Sequence, residues 1–107
     1  MQTKTKFQEE IKINNLKWLQ TWFKEQCNGD REHSHGISIN TIDNPGWKIE
    51  ISLSETDFEN LKQDFIKINN SEDDWYTFGI KDATFIGAGD PFKLEFLIGK
   101  FRDLVTK

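Results

Sequence analysis

Residues 37–53 read ISINTIDNPGWKIEISL. Ile37, Ile39 and Thr41 alternate along the first part, and Trp47, Ile49, Ile51 and Leu53 along the second. A period of two puts such residues on one face of a strand. Between them stands Asp43-Asn44-Pro45-Gly46; in a turn counted from Asn44, proline in the second position and glycine in the third favour type II. The stretch predicts a β-hairpin. Strands joined by so short a link run antiparallel, which points to a largely antiparallel sheet rather than a parallel one with crossovers.

On the N-terminal side of the hairpin, Leu16, Leu19, Phe23 and Cys27 fall on one helical stripe, with Trp18 and Trp22 as an i,i+4 pair beside it. A first helix is expected over Ile13 to Cys27, stopped by Asn28-Gly29, with Gly29 suited to a left-handed cap. Past the hairpin, Thr56 and Glu59 match a capping box, and Phe58, Leu61, Phe65 and Ile68 share a helical stripe. A second helix is expected there, ended by the polar run Asn69 to Asp74. Tyr76, Phe78 and Ile80 then alternate, and Phe85 and Ile86 follow a turn near Lys81-Asp82, the pattern of a second hairpin. Asp90 is placed to cap a last helix with Pro91 at its first position, and Leu94, Leu97, Ile98, Phe101, Leu104 and Val105 form its apolar face. The expected order is α-β-β-α-β-β-α. This describes one α+β domain over residues 1–107, with a mainly antiparallel sheet of about four strands packed by helices and residues 1–10 a candidate flexible lead.

Nine Phe, four Trp, one Tyr and twelve Ile in 107 residues supply a core, while 30% charged residues keep the chain polar on average. That is the profile of a folded soluble domain. No apolar run approaches the ~20 residues needed to cross a bilayer, and MQTKTKFQEE lacks the apolar centre of a signal peptide. A cytoplasmic protein is expected. The single Cys27 can form no internal disulfide. Twelve Lys against two Arg, with many Asn and Ile, fit an A/T-rich bacterial genome.

The formal charge of −4 is unevenly spread: residues 28–90 hold five bases and thirteen acids, while the flanks are each +2. Such a surface repels nucleic acid, whose binding rests on Lys and Arg at phosphates. It attracts a basic protein partner. A merely solvated acidic face is the alternative reading.

Asp30, Glu32, His33 and His35 have the side chains of a metal site, and a strand beginning near His33 would set both histidines on one side. No third ligand follows at a recognisable spacing, and residues of these types also fix loops by hydrogen bonding. Cys27 lies on the apolar helical stripe, which favours a buried, inert thiol over a nucleophile. Asp30, Glu32, Asp43 and Asp90 could supply paired carboxylates, but acids are too abundant here for that to discriminate. Gly87-Ala88-Gly89-Asp90-Pro91 resembles a phosphate loop, yet it lacks the further glycine or lysine and places an acid where an anion would sit. Trp18, Trp22, Trp47 and Trp75 are read as core residues, with Trp18 or Trp22 partly exposed because both lie off the stripe. No catalytic residue, metal or cofactor is assigned. A small metal-binding protein or enzyme using Asp30, Glu32, His33 and His35 remains the alternative.

Four motifs together resemble a known family. They are L-x-W-L-x-x-W-[FY] at Leu16 to Phe23, C-x-G-D-x-E-H-x-x-G-I at Cys27 to Ile37, T-x-D-N-P-G-W at Thr41 to Trp47, and G-x-G-D-P at Gly87 to Pro91. The chain is similar over about residues 14–101 to the immunity protein 53 family of bacterial polymorphic toxin systems. The resemblance implies a non-catalytic protein that binds and neutralises a cognate toxin, with a basic nuclease as the candidate target and neither nucleic acid nor membrane as a partner. It makes Asp30, Glu32, His33, Asp43 and Asn44 the candidate partner-facing residues. Trp18, Trp22, Gly46, Trp47, Asp90 and Pro91 are its structural motif. It also implies aromatic residues where this chain has Arg31 and His35. If those aromatics belong to a recognition surface, the partner preferred here differs.

Overall fold

The alternating residues of the opening stretch form the expected hairpin, β1 (Ile37–Ile42) and β2 (Gly46–Ser52), in a computed structural model that describes residues 14–106. Residues 1–10, and the start of the first helix at Ile13, lie outside the described residues. The turn differs from the type II expectation. The Asn44–Pro45 bond is cis, and Gly46 belongs to β2 without a positive φ. What demands glycine at 46 is crowding. A Cβ there would collide with the carbonyl oxygen of Gly89 on a neighbouring strand.

The sheet has five strands rather than about four. Beyond the first hairpin come β3 (Gln63–Ser71), β4 (Asp74–Lys81) and β5 (Thr84–Gly89), paired antiparallel in the order β1-β2-β5-β4-β3. The β4–β5 hairpin is the one expected from alternation, turning at Asp82 and Ala83, both with positive φ. The predicted second helix is absent, so the described residues run α-β-β-β-β-β-α. Glu55 adopts φ 63, and Thr56 accepts the Phe58 N–H at its hydroxyl, which yields successive turns instead of a first helical turn. From Gln63 the chain joins β4 as an edge strand. Ile66 and Ile68 oppose Phe78 and Tyr76 on one face, while the Phe65 ring covers the bare backbone of Gly79 on the other. Adjacent Phe65 and Ile66 face opposite ways by ordinary strand alternation, and register shifts between Gln63 and Ile66 and between Asn69 and Ser71 bound the regular pairing. Tertiary pairing overrides the local helical pattern.

Both helices lie on one face of the sheet. α1 (Asn15–Gln26) ends as Cys27 turns extended, and Gly29, with φ 90, sits in the bend beyond rather than capping the helix. The buried residues of α1 are Leu19 and Trp22, whereas Leu16 is 56% exposed, so the inward face is rotated from the stripe expected. Trp22 is buried and Trp18 half-buried. α2 (Leu94–Val105) starts later than expected, leaving Asp90 and Pro91 in a preceding turn. Its Leu97, Ile98 and Phe101 close over Ile49, Ile51, Leu53 and Phe85. Phe101 is the meeting point: its ring lies 4.9 Å from Trp22 edge-on, 5.2 Å from Phe85 and 5.9 Å from Trp18. Aromatic rings at these separations gain from edge and tilted contact beyond the area they bury. The opposite sheet face carries Lys48, Glu50, Lys67 and Thr77 beside Phe65, Trp75 and Ile86. No helix among the described residues is long and apolar enough to cross a membrane.

Gly46→Ala is expected to cost more than ~2 kcal/mol, because the new methyl meets backbone rather than a yielding side chain. Gly36→Ala, with open space around it, should be neutral or stabilising by up to ~1 kcal/mol. Urea unfolding of the two variants checks this contrast.

Candidate functional site

The chain leaving α1 makes a short 3-10 turn at Arg31–His33 before entering β1. Two side chains hold it reciprocally. Asn28 accepts the N–H groups of Asp30 and Arg31 at 2.9 and 2.8 Å, and Glu32 accepts those of Asn28 and Gly29 at 3.0 and 2.8 Å. The Glu32 carboxyl is accordingly held below its ordinary value. Its own backbone N–H contributes most, partial burial opposes, and the Asn28 and Gly29 N–H groups and the charge of His33 add to the lowering.

Arg31 locks this corner to the sheet. It is 2% exposed, and its Nε and one terminal nitrogen each donate at 2.7 Å, to the carbonyls of Ser54 and Ser52. The rigid, planar fork of a guanidinium matches two carbonyls set side by side better than the point charge of a lysine ammonium does. His35 bridges the same corner, with Nδ1 3.3 Å from the Ser52 hydroxyl and Nε2 3.4 Å from Glu55. Cys27 is half-buried, and its thiol donates to the Phe23 carbonyl. The corner is thus a device for holding its own loop. Among the described residues no three His, Cys, Asp or Glu side chains are grouped to hold a metal ion.

At the other end of the strands Asp90 is fully buried. Its carboxylate accepts the Trp75 N–H at 2.9 Å, the Phe92 N–H at 2.8 Å and the Lys93 ammonium at 2.7 Å. Lys93 also reaches Asp74 at 2.9 Å. Burial alone would push the Asp90 carboxyl up. Lys93 and the two N–H groups outweigh it and hold the group below its ordinary value, while Lys93 is raised by its two carboxylates. Trp47 adds a bond from Nε1 to the Pro91 carbonyl at 3.0 Å. Asp90 is therefore a buried junction, not the N-cap of α2, and no anion-binding loop forms at this turn.

The sequence-derived candidates do not form one surface. Asp30 and His33 are exposed and Glu32 half-buried beside the start of β1, whereas Asp43 and Asn44 are exposed past its end. Six strand residues separate the groups, about 20 Å of chain. Each end is acidic in its own right. Asp30, Glu32, Glu55, Asp57, Glu59, Asp64 and Asp82 stand in the segments bordering the corner end, and Asp43, Glu72, Asp73 and Asp74 on the two hairpin tips opposite. Sequence reasoning missed Arg31 as an anchor and passed over Phe92. A signal existed for each: arginine is used only twice among fourteen bases, and Phe92 fits no helical or strand stripe.

A family model described as Immunity protein 53 matches residues 16–106. No curated protein and no solved structure matches the chain.

Arg31→Met should destabilise by ~2–4 kcal/mol in urea unfolding, since two buried carbonyls lose their donors, and Arg31→Lys should recover only part of that. Asp90→Asn should cost about 3 kcal/mol at pH 7. Because the folded Asp90 pKa is depressed, its contribution is full above the unfolded value near 3.8 and is lost as pH falls through the lower folded value. The gap between the two proteins should therefore narrow below about pH 4, as read by unfolding at stepped pH.

Proposed function

The chain belongs to the immunity protein 53 family, which makes it an immunity protein directed against a toxin, and we propose that it neutralises a cognate bacterial polymorphic toxin by binding a basic surface on it. The observation that carries this reading is the family match over residues 16–106 together with the acids gathered at both ends of the sheet. Opposite charge raises the rate at which two proteins meet and orients them as they do. A nuclease is the target class that fits, because an enzyme that grips phosphates must itself present lysine and arginine. Occlusion of that basic surface would block the substrate without any chemistry by the immunity protein.

Asp30, His33, Asp43 and Asn44 are the exposed members of the partner-facing set proposed from the sequence. Glu32 belongs to the set by position, although its carboxylate is engaged with the Asn28 and Gly29 N–H groups. Its role is to hold Asp30 and His33 in place.

Co-expression with the toxin encoded by the adjacent gene should restore growth to cells that the toxin alone kills. The purified pair should associate with a rate constant that falls about tenfold or more between 50 and 500 mM salt. Cells that die despite abundant soluble protein would refute the proposal. A rate indifferent to salt would remove the charge argument.

A further inference from the structure

Among the described residues Phe92 is the most exposed of the large apolar side chains, at 81%. It stands on the turn between Asp90 and α2, and the backbone on both sides of it is fixed. Asp90 accepts the Phe92 N–H and, through its own carbonyl, the Lys93 N–H at 3.1 Å, while the Trp47 indole holds the Pro91 carbonyl at 3.0 Å. A ring displayed on backbone held this tightly needs little further ordering to be used in binding.

Phe92 has apolar company. A surface hollow of about 320 Å³ separates it from Leu16, itself 56% exposed, with Trp47, Pro91, Leu94 and Ile98 forming the floor and sides. Glu95 is the one charged residue lining this hollow, and Asp43, Glu72, Asp73 and Asp74 stand on the hairpin tips at the same end of the sheet. On its other side Phe92 borders a second hollow with Glu95, Lys100, Arg102 and Asp103. Lys93, the base of this turn, is engaged by Asp90 and Asp74. Three less exposed apolar residues pack within the sheet: Phe65 covers Gly79, and Ile66 and Ile68 oppose Phe78 and Tyr76 across its edge. An apolar anchor beside acidic hairpin tips complements an apolar pocket bordered by lysine and arginine.

We propose that Phe92, seconded by Leu16, is the anchor through which this protein grips its toxin, the ring entering an apolar pocket on the toxin's basic surface. This rests on the immunity reading above and chooses between the two acidic ends: the Phe92 end, with Asp43 and Asn44, is the interface, and the Arg31 corner supports the fold.

The test uses the toxin domain encoded by the adjacent gene, purified and titrated with the wild-type protein and with Phe92→Ser, Phe92→Trp and Leu16→Ser. Phe92→Ser should weaken binding about 30-fold or more, mainly through faster dissociation, and Leu16→Ser by about fivefold. Phe92→Trp should stay within about threefold of wild type. The melting temperature of each exposed-site variant should remain at the wild-type value, which separates loss of contact from loss of fold. Wild-type affinity in Phe92→Ser, while wild type still binds and protects, overturns the anchor and leaves the immunity reading standing. Wild-type protein that neither binds nor neutralises that toxin overturns both. A self-association of the wild type that Phe92→Ser abolishes, with toxin affinity unchanged, assigns the ring to a second copy of the chain and overturns the proposal.

Discussion

A carboxylate taken fully out of water must be met by donors, and Asp90 is met by three of them from three places in the fold. The Trp75 N–H comes from β4, the Phe92 N–H from the turn, and the Lys93 ammonium from the threshold of α2. Satisfying one buried acid therefore fixes where the last helix begins relative to the middle of the sheet. From that start the helical repeat carries Leu97, Ile98 and Phe101 onto the sheet, and Phe101 brings together Trp18, Trp22 and Phe85. The core is assembled around a ring that lies about two helical turns from a start set by a charge.

The two ends of the sheet handle polarity in opposite ways. At the corner beside β1, polar groups are spent on one another: Asn28 and Glu32 bind local N–H groups, and Arg31 places its buried guanidinium on two carbonyls. At the far end the polar network is internal too, but its product is an apolar residue held outward. Interfaces are commonly built this way, with a rigid apolar centre and charge at the periphery. At the corner Glu32 and His35 serve a tight loop between a helix and a strand, while Asp30 and His33 remain exposed.

How much of this could be read from the sequence varied by element. β2, β4 and β5 were legible because one face of each is the more buried, which writes a period of two into Trp47 to Leu53 and Tyr76 to Ile80, and β1, though largely exposed, keeps the same period in Ile37, Ile39 and Thr41. The two helices were legible from their stripes, although α1 is turned so that Trp22 is buried and Leu16 exposed. β3 was hidden. It is a solvated edge strand whose Asn69 and Asn70 look like loop, and whose Phe65 and Ile68 happen to sit at helical spacing. Thr56 does cap a turn, but the turn leads nowhere. Arg31 could not be placed because the carbonyls that hold it lie more than twenty residues on. Asp43 and Asn44 were grouped with Asp30 by nearness in the chain, although the strand expected between them holds the two groups at opposite ends of β1.

The packing of α1 against α2 sets an order of events at the ribosome. Asn15 reaches Glu95 across 80 residues of chain, and Trp22 finds its edge-on partner only at Phe101. α1 is therefore translated long before the helix it packs against, and the edge-on contact of Trp22 with Phe101 can form only once residue 101 has cleared the exit tunnel.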